Sequence, residues 1–240
     1  MPVIPRCLDR PLVREMIADI RSIRPIGLRV ETISRRFLGV PYLDNPLGGS
    51  MLSHESLTAS LDAFDCVTYV ESILALALAS RPEDFPDNLR CIRYRDGNVD
   101  WRARNHYMTT WIRNNVRSGF VRNLTQGVGL VERSRKLNIV EGLTGKTVRV
   151  RSIRKRDFLR RVSGASSGDL VFFASTRRNL DVFHCGILIR SGERTLLRHA
   201  ARSRGRVLDQ DFDGFLTANR MSGVILVRPR DVGQQRFPRQ

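Results

Sequence analysis

The chain is short of lysine, of cysteine and of long apolar runs. Of its 41 cationic residues in 240, only Lys136, Lys146 and Lys155 are lysine, which leaves 38 arginines. Acidic residues number 24, so the net charge is +17. Arginine standing for nearly every lysine, along the whole length, points to GC-rich coding as the larger cause. Weak, non-specific attraction to polyanions, nucleic acid among them, still follows from the charge. No groove-reading helix, zinc finger or RNA-binding aromatic motif accompanies it, so a polyanion- or nucleic-acid-binding module ranks below an enzyme. The longest apolar run, residues 73–79, has seven residues, against the roughly 20 of a spanning helix. No membrane span is expected. The N-terminus lacks the roughly 7–15-residue apolar core of a secretory signal. Cysteines stand at 7, 66, 91 and 185, with neither zinc-knuckle nor dithiol spacing, so free thiols and no cofactor are expected.

What is present reads as an ordinary folded chain, 41% apolar and 27% charged. Residues 11–38 keep a helical spacing through Leu12, Met16, Ile17 and Ile20, then Val30, Ile33 and Phe37. Residues 41–59 are rich in Gly, Pro and Ser and read as a loop. The clearest helix is 66–79, with Asp65 as its N-cap and Arg81-Pro82 closing it. A strand is expected at 91–95, a turn at 96–98 and a helix at 106–117, with basic, irregular sequence on to 161. Strands follow at 169–174, 183–190, 195–201 and 223–228. Helices first and strands last suggest an α+β fold with helices on one face of an antiparallel sheet. With no linker and no repeat, the expectation is one domain over 1–240, with an inserted region at about 83–165.

Cys66 would be the first residue of its helix, beside free N–H groups and the positive end of the dipole. That setting favours a thiolate and offers donors to a developing oxyanion. Cys7 and Cys91 read instead as small buried hydrophobes. A nucleophile needs a base. If Ser191 pairs with Arg194 across a two-residue loop, His199 faces Gly186 and His184 faces Ala201. Both imidazoles then project from one sheet face as diagonal neighbours. Taken singly, His184 reads as a core histidine and His199 as a surface one; together with Cys66 they have the logic of nucleophile, base and orienting group. Zinc on His184, Cys185 and His199 is the rival, but Cys185 alternates to the opposite face.

Five blocks follow in order: FLGVPY at 37–42, FDCVTYVE at 64–71, GDLVFF at 168–173, HCGILI at 184–189 and HA at 199–200. Together they resemble the NlpC-type papain-like cell-wall cysteine hydrolases. The middle blocks, YRDG at 94–97, NHY at 105–107 and WIRNN at 111–115, resemble the N-acetylmuramoyl-L-alanine amidase-like subgroup. The resemblance implies a papain-like α+β fold with the nucleophile at a helix N-terminus: Cys66 as nucleophile, His184 as base and His199 as third polar residue. It implies no metal or cofactor. Tyr42 and Asp65 match positions that line the site or hold a substrate amine, although Asp65 is also explained as a cap. His106 and Tyr107 match the middle block and would shape the substrate groove, a packing role being the alternative. The implied substrate is peptidoglycan or a muropeptide, cut between N-acetylmuramic acid and L-Ala, with the γ-D-glutamyl–diamino-acid linkage as runner-up. Action in the periplasm or cell wall without a visible signal points to one of three explanations. These are a specialised secretion machinery with an immunity partner, cytoplasmic processing of recycled fragments, or an incomplete N-terminus.

Overall fold

In a computed structural model, which describes residues 10–160 and 164–231, the N-terminal apolar stripes converge on one central helix. Cys7 lies outside the described residues. Helix α1 (Arg10–Ile20) buries Val13, Met16, Ile17 and Ile20, and α2 (Ile26–Arg35) buries Val30 and Ile33. Both pack on α3 (Cys66–Ala77), in which every residue from 68 to 77 is buried. Asp65 starts α3 with a capping box: its Oδ1 accepts from the N–H groups of Val67 at 3.0 Å and Thr68 at 2.7 Å, and the Thr68 hydroxyl accepts from the Asp65 N–H at 3.0 Å.

Residues 91–95, expected as a strand, are instead the end of α4 (Asp84–Arg93) and the turn beyond it. Phe85, Leu89 and Ile92 keep a helical spacing and are buried. Pro86 sits in the first turn, where its missing N–H costs nothing. Helix α5 (Met108–Arg117) follows. A buried knot ties the three helices together: Arg93 Nε donates to Glu71 at 2.7 Å and Trp111 Nε1 donates to the same carboxylate at 3.1 Å.

The residues after α5, expected to be irregular, carry β1 (Val121–Asn123), the hairpin of β2 (Leu130–Leu137) with β3 (Lys146–Ile153), and the short α6 (Lys155–Leu159). The expected C-terminal strands form as β4 (Leu170–Ala174), β5 (Val182–Ser191), β6 (Arg194–Ala201) and β8 (Gly223–Pro229). Sequence reading missed β7 (Arg206–Asp211) and α7 (Phe212–Ala218). The strands make one antiparallel sheet in the order β2-β3-β8-β4-β5-β6-β7, with β1 also on β8. Its alternation sends Phe172, Cys185, Ile187 and Ala200 toward α1–α5, and Val171, Phe173, Leu188 and Leu197 toward α7. The fold is therefore mixed α and β, with an antiparallel sheet between a helical layer and a smaller second core. No helix among the described residues is long and apolar enough to cross a membrane.

Candidate active site

The β5–β6 hairpin has the expected register. Ser191 pairs with Arg194 across Gly192-Glu193, and the ladder runs down to Ile187 with Arg198. Just beyond it, His184 Nε2 and His199 Nδ1 lie 2.6 Å apart. Gly186 makes room for this. A Cβ there would come within 2.9 Å of the Arg198 carbonyl oxygen and 3.0 Å of the His199 Cβ, closer than packed atoms tolerate. A bulge between Phe173 and Ala174 opposite this end of β5 bends the strand where His184 leaves it.

The ring pair rests on aromatic rings. Phe173 stacks on His184 with planes 10° apart, and Phe215 of α7 lies 5.6 Å from both imidazoles. His199 Nε2 meets Gln210 Oε1 at 3.2 Å. Gln210 is placed by the register of β6 with β7, where Arg198 faces Asp209. That pair forms a two-pronged ion pair at 2.7 Å per prong, and Arg198 Nη1 also donates to the Ser34 hydroxyl at 3.1 Å. Burial, and after it the charge of His184, pushes His199 down to about 3, with Gln210 and Asp209 opposing. His199 is therefore neutral near pH 7. A neutral imidazole whose Nε2–H donates to Gln210 must accept at Nδ1. The His184 Nε2–H is then the donor, and His184 Nδ1 is the nitrogen left for a further partner.

The charge of His184 bears on Cys66, the half-buried first residue of α3. Its thiol is held well below its ordinary value. The hydrogen bond with Cys185 contributes most, burial opposes it, and the charge and hydrogen bond of His184 and the Cys185 backbone add to the lowering. The Cys185 thiol donates to the Cys66 carbonyl at 3.1 Å. Of the two sulfurs Cys66 is the one that ionises, because its own hydrogen bond and burial push Cys185 up. Cys185 faces α3 while His184 leans on Phe173, so the two do not converge on a common ion, and no cluster of metal-ligating groups occurs among the described residues.

Two more expected residues flank the sulfur. Asp65 caps α3 with one oxygen, and burial, with the charge of Cys66, pushes its carboxyl up to about 6. Tyr42 bridges to Phe64, and its hydroxyl donates to Asp44 at 3.2 Å. Burial first, then the charges of Cys66 and Asp44, holds the Tyr42 proton well above its ordinary value. His106 and Tyr107 are not gathered here. His106 Nε2 bonds the Trp101 carbonyl oxygen at 2.7 Å, and burial pushes the ring down to about 4. The Tyr107 hydroxyl accepts from the N–H groups of Ile139 and Val140. Both residues line a separate pocket of about 170 Å³.

Gln210 and Phe215 were not singled out from sequence. For Phe215 a signal was present: Asp211 stands just before Phe212, Phe215 and Leu216, a helix start with apolar spacing. Asp211 does cap Gly214 N–H at 2.7 Å.

The chain resembles solved structures over most of its length. A Legionella pneumophila protein of the DUF1460 family is 20% identical, with 92% of this chain and 94% of that one covered at a TM-score of 0.81. An N-acetylmuramoyl-L-alanine amidase of Bacteroides uniformis is 26% identical, with 85% of this chain and 99% of that one covered at a TM-score of 0.75. No curated protein sequence matches. A family model described as AmiA-like, N-acetylmuramoyl-L-alanine amidase-like, matches residues 32–224. By that match across most of its length, the chain belongs to the N-acetylmuramoyl-L-alanine amidase-like family.

Proposed function

We propose that the protein is a cysteine amidohydrolase of papain-like design that cleaves the amide between N-acetylmuramic acid and L-Ala in peptidoglycan or muropeptides. What supports this reading is the run His184, His199, Gln210, together with a Cys66 thiol that the Cys185 hydrogen bond and His184 lower from the start of α3. The Cys66 thiolate attacks the lactyl carbonyl carbon of the muramoyl group. The oxyanion is met by the Cys66 N–H, which the Asp65 cap leaves untaken. Tyr42 is the second donor at hand. His184 gives its Nδ1 proton to the departing amine of L-Ala as the C–N bond breaks. Water, deprotonated by His184, then splits the thioester and returns the free thiol and a carboxylate. His199 stays neutral throughout and holds the His184 ring in place. No step needs a metal or cofactor, and the site of action is the cell wall or periplasm.

The test is digestion of purified sacculi followed by mass spectrometry of the products. Cys66→Ala is expected to release no stem peptides while its thermal unfolding matches the parent, and undiminished release by that variant overturns the reading. The masses also name the bond. Free peptides beginning at L-Ala support the muramoyl linkage, and fragments beginning at the diamino acid support the γ-D-glutamyl linkage instead.

A further inference from the structure

The pocket holding His106 and Tyr107 has a chemistry of its own. Arg95, Arg102, Arg104, Arg113 and Lys146 surround it, and no Asp or Glu lines it. Nearby acids make other hydrogen bonds or ion pairs. Asp96 pairs with Arg117 at 2.7 Å, Asp100 accepts from the Arg102 N–H at 2.8 Å, and Asp181 accepts from Thr109 N–H and hydroxyl at 2.7 Å each. Only Arg104 is neutralised directly, by Glu55 at 3.0 Å. Among the described residues Arg95, Arg102 and Arg113 form no ion pair, and Lys146 Nζ donates to the Thr110 hydroxyl at 3.1 Å. Burial, then the charges of Arg113 and Arg95, pulls the Lys146 ammonium below its ordinary value, with Asp181 opposing.

Exposed side chains that repel one another ordinarily spread apart. Here four cations with no ion pair among the described residues line one concavity together with the buried Asn105, Tyr107 and Asn114. Asn114 Nδ2 donates to Asn105 Oδ1 at 2.7 Å, and Asn105 Nδ2 donates to the Ile92 carbonyl at 3.1 Å. Such a lining is stabilised by an oxyanion, which guanidinium forks grip through paired hydrogen bonds.

The pocket is tied to the candidate active site through one hydrogen bond and a short stretch of chain. Thr110 lines it, the neighbouring Thr109 is bonded to Asp181, and Asp181 stands three residues before His184. Three residues of strand cover about 10 Å. An extended peptide of three residues covers about the same length. We infer that this pocket is the subsite for the carboxylates of the acidic stem peptide, held while its L-Ala amine lies at His184. This rests on the amidase reading given above and adds to it the part of the substrate that the cations recognise.

The test uses the full chain carrying Cys66→Ala, so that nothing is turned over, and calorimetric titration at low and physiological salt. Three probes are compared: L-alanyl-γ-D-glutamyl-diamino-acid peptide with free carboxylates, the same peptide fully amidated, and inorganic phosphate. The free acid is expected to bind at least about tenfold more tightly than the amide, as loss of a charge-assisted contact predicts. Adding Arg95→Gln and Arg113→Gln should remove about tenfold of that affinity and flatten its salt dependence, with the amidated peptide unaffected. Both side chains are exposed, and an unchanged melting temperature checks the fold. Equal binding of acid and amide overturns the subsite, as does unchanged affinity in the double variant, or phosphate binding that the peptide fails to displace. If the parent hydrolyses no muropeptide while the free acid still binds through Arg95 and Arg113, the bond assignment falls and the carboxylate site stands.

Discussion

Cys66 and Cys91 both sit on helices and are both partly buried, yet opposite ends of those helices give them opposite chemistry. Cys66 opens α3, and Cys91 lies two residues before the end of α4. Burial raises both thiols. At Cys91 nothing outweighs it: desolvation dominates, Arg90 opposes, and Asp87 adds to the rise. At Cys66 the hydrogen bond with Cys185 and the charge and hydrogen bond of His184 reverse the sign. The helix ends point the same way, since N-termini offer free N–H groups and positive potential while C-termini offer carbonyls and negative potential. The difference lies in which donors the fold brings to each sulfur, rather than in how deeply each is buried.

The sharpest way to break this contrast is alkylation. At pH 6.5 iodoacetamide should modify Cys66 at least about tenfold faster than Cys91, because the thiolate is the nucleophile; peptide mass mapping against time reads the ratio, and equal rates would remove the contrast. A second, smaller effect concerns His199. Its folded value of about 3 lies below the ordinary imidazole range, so the unfolded chain binds the extra proton first and stability falls as the pH drops from about 6.5 toward 3. His199→Gln should flatten that part of the urea-unfolding profile. It should lower turnover of an N-acetylmuramoyl peptide while keeping more activity than His199→Phe, since the amide can still accept from His184. The smallest effect is expected at Asp65. Losing the cap in Asp65→Ala should cost about 1 kcal/mol. Its folded value of about 6 is raised, so the stabilisation it carries is present at low pH and is lost as pH rises through 6. The gap between parent and variant in urea unfolding should therefore narrow from pH 4 to pH 7.

Much of the site's framework was legible in the sequence for local reasons. Asp65 ahead of an apolar stripe reads as a cap because capping involves residues three apart, and the parity of His184 and His199 depends only on the length of one hairpin loop. Residues 91–95 were misread because a five-residue window rich in β-tolerant side chains hides a helix whose stripe begins at Phe85. The basic stretch after α5 was read as irregular although Val148 and Val150 alternate in β3; its exposed arginines masked the period. Gln210 escaped because β7 shows few apolar residues, and its position under His199 comes from the pairing of Arg198 with Asp209. His106 and Tyr107 were expected to shape the substrate groove, and their contacts place them at the cationic pocket.

Local sequence was enough to specify the helix that begins at Cys66, four of the C-terminal strands, and the shared face of His184 and His199. Each of these depends on neighbours within a turn or a hairpin, where chain geometry leaves little choice. Long-range packing set the rest: Cys185 stands beside Cys66, Gln210 meets His199, Phe215 covers the imidazoles, and five cations between the turn after α4 and β3 line one pocket. Those meetings join residues far apart in the chain, and they are set by sheet register and by packing on both faces of the sheet, which no local pattern of side chains encodes.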